Sequence, residues 1–160
     1  MNSRSLLPVL ALSLLVFAGC TGDEGPRGPA GPAGPSATTV TFTLTNTDFS
    51  LFTTGQWMCD RAVPAITSEI LTSGAVLPYF QFPGWYWLQM PYIYGNIRVY
   101  YGFNPGTVRF VYEDVSPSPL LNAAGTYKVV IVSGEIAATK LAGVDTRDYR
   151  AVKEALDLED

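Results

Sequence analysis

Few residues in this chain are of types that do covalent or coordination chemistry. Among 160 residues there are two cysteines and no histidine. That composition removes the commonest general base, the commonest zinc ligand and every histidine-dependent triad. Cys59 follows Trp57 and Met58, an apolar setting that predicts a buried, inert thiol rather than an intermolecular disulfide partner. Glu113 and Asp114 form an isolated acidic pair, which reads as a solvated strand end and not as metal or glycosidase carboxylates. The sequence carries no phosphate-cradling glycine loop and no Gly-X-Ser-X-Gly elbow. No catalytic residue, metal ligand or cofactor is therefore assigned, and the expectation is a protein that is not an enzyme.

Cys20 has the most informative context. Met1 to Ser5 carries one positive charge, Arg4, and an apolar run from Leu6 to Phe17 follows, broken only by Pro8 and Ser13. Small residues Ala18 and Gly19 complete the layout of a secretory signal peptide. The run is too short to cross a bilayer, which takes about 20 apolar residues. Phe17-Ala18-Gly19-Cys20 resembles the lipobox of bacterial lipoproteins, although Phe17 stands where an aliphatic residue is usual. The resemblance implies cleavage before Cys20, lipidation of its thiol and acylation of the new N-terminus. With about 0.8 kcal/mol per buried methylene, several acyl chains hold a protein stably on a membrane. The implied partner of Cys20 is membrane lipid, and the implied location is the bacterial cell envelope, at the outer membrane. Asp23 and Glu24 resemble a signal for display on its outer face, or else form an acidic, solvated linker.

Glycine recurs at every third position from Gly22 to Gly34, in five triplets of which four have proline second. This resembles the collagen repeat, where only glycine fits at the axis of three polyproline-II chains. Proline fixes φ, so even one strand is extended, and at about 3 Å per residue the tract makes a stalk of roughly 45 Å. Five triplets are few for a triple helix, which favours a monomeric spacer. A homotrimer requires the C-terminal domain itself to associate. Net charge is −4 and the basic residues are scattered singly, so no patch exists to neutralise nucleic-acid phosphates.

Aromatic density is the other oddity. Residues 79 to 112 hold thirteen of the twenty aromatics. Trp85, Trp87 and Tyr100 are the candidate ligand platform, able to stack on sugar rings or pack against a partner. The competing reading is that a β-sandwich core takes up aromatics. In Trp85-Tyr86-Trp87-Leu88, strand alternation puts the two tryptophans on one face, and one of the two faces must be core.

These residues need elements to hold them. Thr38 to Thr45 alternates, with Val40, Phe42 and Leu44 on one side and threonines on the other, which predicts a half-buried strand. Residues 65 to 73 read as a short helix after Pro64, stopped by Gly74 in the C′ position. Residues 96 to 113 read as a hairpin, with Gly102 opposite Thr107, and Tyr100 opposite Arg109 as a cation–π pair. Residues 126 to 134 read as a strand buried on both faces, and 140 to 144 as a link. After it the period becomes helical: Tyr149, Val152 and Leu156 share a stripe behind a cap at Asp145, and the acidic end is expected to fray.

The fold class expected is mainly all-β, an antiparallel β-sandwich of immunoglobulin-like or jelly-roll-like layout with a short helix near 65–73 and a C-terminal amphipathic helix. The organisation expected is a lipoprotein signal peptide over 1–19, lipidated cysteine and stalk over 20–37, sandwich over 38–143 and helix over 144–160. Lipobox, short Gly-Pro-X tract and small β-rich domain together resemble collagen-like envelope lipoproteins. The segments ITSEILTSGAVLPYF, YKVVIVSG and VDTRDYRAVKEAL look like recurring pieces of their C-terminal domains. What the resemblance implies is a structural, adhesion or interaction role with a protein or glycan partner. The alternative is a carbohydrate-binding module that uses Trp85 and Trp87.

Overall fold

The computed structural model describes residues 37–159; the signal-like segment, Cys20 and the Gly-Pro-X tract lie outside the described residues. The described chain is mostly β, in two antiparallel sheets with a few short helices. Strands β1 (Ala37–Leu44), β2 (Ser50–Thr53), β3 (Gln56–Ala62) and β4 (Ala75–Gln81) are followed by two very short ones, β5 (Leu88–Gln89) and β6 (Tyr92–Tyr94). The long strands β7 (Ile97–Asn104), β8 (Thr107–Asp114) and β9 (Gly125–Val132) complete the sheets. One sheet has the order β1-β9-β4-β5 and the other β2-β3-β8-β7-β6.

The sheets close on each other through alternating inward residues. Leu44, Phe80, Tyr127, Val129 and Ile131 of the first meet Cys59, Val99, Val108, Phe110 and Tyr112 of the second. Phe110 and Tyr127 touch across the interface with ring centroids 4.6 Å apart. This is the sandwich expected, and β1 has its alternation as read, with Val40, Phe42 and Leu44 inward. Cys59 is buried among them, which pushes its thiol pKa up.

Strand β9 is buried on both faces because a third layer covers the outside of the first sheet. That layer consists of α2 (Gly134–Lys140) and α3 (Tyr149–Leu156). Tyr149, Val152 and Leu156, the stripe read from the sequence, pack on Tyr79, Val130 and Val132. The cap differs: Asp148, not Asp145, accepts the first-turn N–H, from Arg150, and Asp145 instead receives Arg147. Helix α2 falls where a link was expected at its end, and its apolar residues Ile136 and Ala137 also face this layer.

Two local expectations change. Helix α1 spans only Ser68–Ser73, capped by the Thr67 hydroxyl accepting from Ile70 N–H at 3.2 Å. Gly74 ends it in extended conformation (φ −90°), not left-handed. Glycine is needed there for space, since a Cβ would lie 2.4 Å from the Val132 carbonyl oxygen. In the β7–β8 hairpin Asn104 pairs with Thr107 and Gly102 with Arg109, two residues from the expected register. The turn is a two-residue Pro105-Gly106 loop with Gly106 at φ +77°. A shift of two leaves every side chain on its face, so Val99, Val108, Phe110 and Tyr112 are still buried. The Tyr100–Arg109 pair does not form: Tyr100 is opposite Val111. Arg109 instead donates two bonds to Asp60 on β3, at 2.6 and 2.7 Å.

Candidate functional site

The two sheets are unequal at one edge. β6 continues the five-stranded sheet, whereas the facing sheet ends at β5, only Leu88–Gln89. The inward-facing aromatics of β6 therefore have no strand opposite them. Tyr92 and Tyr94 share that face by alternation, and their register places them against Val99 and Ile97. The β6–β7 loop is Gly95-Asn96, with Gly95 at φ +56°, the two-residue form that has glycine first.

The other wall comes from the turn after β4. Phe82-Pro83-Gly84-Trp85 is a turn with proline second and glycine third, Gly84 at φ +77°, closed by Trp85 N–H donating to the Phe82 carbonyl at 3.0 Å. The Gln81 side-chain amide donates to the Trp85 carbonyl at 2.6 Å and holds the turn against β4. Phe82 meets Trp85 edge-on at 5.9 Å, and Tyr86 stacks on Trp85 at 6.3 Å.

Between these walls lies a groove of about 340 Å³, floored by Tyr112 and flanked by Ile97 and the exposed Asn122. Trp85 is 52% exposed and Tyr94 70% exposed, whereas Tyr112 is buried. No lining residue is charged. Partial burial, and then the neighbouring phenols of Tyr86 and Tyr94, push the Tyr92 phenol pKa up, so it remains a neutral donor. Burial does the same at Tyr112, whose hydroxyl accepts from the Asn122 backbone N–H. Such a site offers ring faces and neutral hydrogen-bond donors. It holds no general base and no ligand set for a metal, and among the described residues no group of three His, Cys, Asp or Glu is placed to hold one.

The three platform residues read from the sequence lie in three places. Trp85 is in the groove. Trp87 is half-buried beneath α3, against Tyr149 at 5.5 Å and with the Lys128 ammonium 4.5 Å from its ring centre. Tyr100 is on the outward face of the five-stranded sheet, where its hydroxyl accepts from the Gln56 amide and where burial, then Glu113, pushes its phenol up. Residues 85 to 87 are not in a strand, so the tryptophans do not share a face. Tyr92, Tyr94, Phe82 and Asn122 were not singled out. Their signal was the Tyr-X-Tyr alternation just before Gly95-Asn96, together with Pro83-Gly84, but the sequence does not show that the opposing strand stops short.

A second depression, of about 760 Å³, runs between β5 and the start of α3. Three of its four charged residues are used locally: Arg147 pairs with Asp145 at 2.9 Å, and Asp148 caps α3; the fourth is Arg150. Among the described residues no helix is long and apolar enough to cross a membrane. No family model matches the chain, and no curated protein or solved structure matches it either.

Proposed function

We propose that this chain is a lipid-anchored protein of the bacterial cell envelope that displays a β-sandwich on a collagen-patterned spacer. It acts by adhesion or interaction through the aromatic groove. The single observation that carries the interaction role is the groove itself: an uncharged cluster with Trp85 and Tyr94 largely exposed, on a domain whose other large aromatics are mainly packed. Exposed aromatic clusters of this kind mark binding surfaces more often than they mark accidents of packing. The anchor rests on the Phe17-Ala18-Gly19-Cys20 motif and the spacer on the five Gly-X-Y triplets.

The entry point of the chain supports this reading. Ala37 opens β1 opposite Val132, whereas Phe82 follows Gln81, which is opposite Thr126 at the other end of β9. The start of β1 and the groove therefore lie at opposite ends of β9. A carbohydrate-binding role is the second reading, favoured by Trp85 alone now that Trp87 and Tyr100 sit elsewhere.

Metabolic labelling with a palmitate analogue tests the anchor. The expected result is label in the full chain and a membrane-bound fraction, both lost on Cys20→Ser. An unlabelled wild-type chain, or a Cys20→Ser chain that stays labelled and membrane-bound, overturns it.

A further inference from the structure

We propose that the groove end of the sandwich docks on the interface of the bilayer that holds Cys20. The inference rests on the reading of Cys20 as a lipid anchor, and it adds a partner for the surface around the groove. Three loops meet at that end. Residues 82–86 and 94–96 carry the groove walls, and residues 115–122 reach it through Asn122. None of the residues in these loops is charged. Five of the nine large hydrophobics exposed among the described residues lie on them: Trp85, Tyr86, Tyr94, Val115 and Leu120, the last 74% exposed. The patch thus extends past the groove and adds aliphatic side chains to its rings. Trp and Tyr beside aliphatic residues are the set favoured at the membrane–water boundary, where charged side chains are costly to immerse.

The backbone of the longest loop favours lipid over a protein partner. A docked protein or peptide can use free backbone donors, whereas an apolar phase penalises each donor left unpaired. Across residues 115–120, Pro117 and Pro119 have no N–H. Val115 donates to the Asn96 carbonyl at 3.0 Å, and Ser116 and Leu120 both donate to the Asp114 carboxylate at 2.9 Å. Asp114 is itself buried, and next along the strands Arg98 and Glu113 pair with each other at 3.2 Å. In the turn beside the loop, Pro83 has no N–H and that of Trp85 donates to Phe82.

The tether permits the contact. Sixteen residues lie between Cys20 and Ala37, and at about 3 Å each they reach roughly 50 Å. Strand β9 has eight residues, about 27 Å at about 3.4 Å each, between the Ala37 end and the groove end. The sandwich can therefore tip until its groove end meets the anchoring bilayer, which the tether keeps at high effective concentration.

The test uses the full lipidated chain, purified in detergent and reconstituted into phosphatidylcholine vesicles with or without brominated acyl chains, which quench tryptophan at membrane depth. Flotation reads attachment in each sample. Tryptophan emission is expected to be quenched by the brominated lipid. Trp85→Phe should remove the quenched component, and Trp87→Phe, beneath α3, should keep it. Val115→Glu and Leu120→Glu, both at exposed positions, should each abolish the quenching, with circular dichroism and flotation unchanged. Adding anionic phosphatidylglycerol should not increase it, since the loops carry no Lys or Arg. A chain that floats but is not quenched overturns the docking and leaves the anchor standing, whereas one that does not float overturns both. Quenching that survives both glutamate substitutions also overturns the proposal. So does a Trp85 shielded from aqueous acrylamide yet unquenched by the brominated lipid, which would put a second copy or another protein over the groove end.

Discussion

The stretch from Tyr79 to Tyr94 feeds two aromatic clusters of similar composition and opposite fate. In the first, Tyr79 and Trp87 meet Tyr149 of α3, with ring centroids 5.1 and 5.5 Å apart. In the second, Phe82, Trp85, Tyr92 and Tyr94 surround the groove. The first is covered by a helix, and both of its tyrosine hydroxyls are engaged. Tyr79 donates to the Thr146 carbonyl at 2.7 Å, and the Lys128 ammonium donates to the Tyr149 hydroxyl at 2.8 Å while lying over both neighbouring rings. In the second cluster Trp85 and Tyr94 remain more than half exposed. Aromatic density is therefore not what separates core from site. The separation lies in cover: α3 packs on Tyr79 and Trp87, whereas Trp85 and Tyr94 are left exposed.

The sharpest way to break the contrast is to remove the closed cluster's centre. Tyr149→Ala deletes a buried ring that contacts Tyr79, Trp87 and Lys128 at once. The expected loss is about 3–5 kcal/mol, in the range for large buried aromatics, read from urea unfolding of the full chain in detergent. A loss below about 1 kcal/mol would mean that α3 is not held as a structural layer and that the two clusters do not differ in kind.

A smaller change tests the ammonium. Lys128 is 7% exposed, and among the described residues no carboxylate oxygen lies within 4.0 Å of its Nζ. Its hydrogen bond to Tyr149 and the two ring faces are what compensate its removal from water. Tyr149→Phe keeps the ring packing and takes away that acceptor. The expected destabilisation is about 1–3 kcal/mol, the cost of leaving a buried donor unpaired. Adding Lys128→Met to Tyr149→Phe should recover most of it, because the unpaired charge is then gone. If the double variant is as unstable as the single one, the tyrosine hydroxyl matters for some reason other than the lysine.

Both clusters were only partly readable in the amino-acid order. Period-2 alternation identified β1 and the faces of the β7–β8 hairpin, because one buried face imposes parity on every residue. The hairpin register was off by two, an error that alternation cannot detect, since parity survives it; Pro105-Gly106 and the φ of Gly106 decide it. The stripe Tyr149, Val152, Leu156 was visible as a helical period, and the double burial of β9 as an apolar run. Helix α2 was not read, since its apolar residues Ile136 and Ala137 make too short a stripe to give a period. Trp85 and Trp87 looked equivalent because their fates depend on chain that is remote in sequence. Trp87 lies beside α3 of the C-terminal tail, and Trp85 lies where β5 fails to extend over β6. No local pattern encodes either fact.

That pair of tryptophans gives the finest test of the comparison, and the smallest expected effect on stability. Trp85 is 52% exposed, and its ring contacts are Phe82 and Tyr86, the latter itself 69% exposed. Trp85→Ala therefore removes surface that water already reaches, and the turn beneath it is set by Pro83, Gly84 and backbone hydrogen bonds that the substitution leaves intact. The expected change in unfolding free energy is within about 0.5 kcal/mol. Trp87→Ala exposes the Lys128 ammonium on one side and strips a ring from Tyr149, so its cost should be several times larger. Comparing the two by urea denaturation asks whether the fold depends on one tryptophan and tolerates loss of the other. Equal costs would make the groove a second core. A Trp85→Ala chain that is stable but no longer binds would show that the ring is kept for contact with something outside the fold, because a ring that contributes nothing to stability has no structural reason to be exposed.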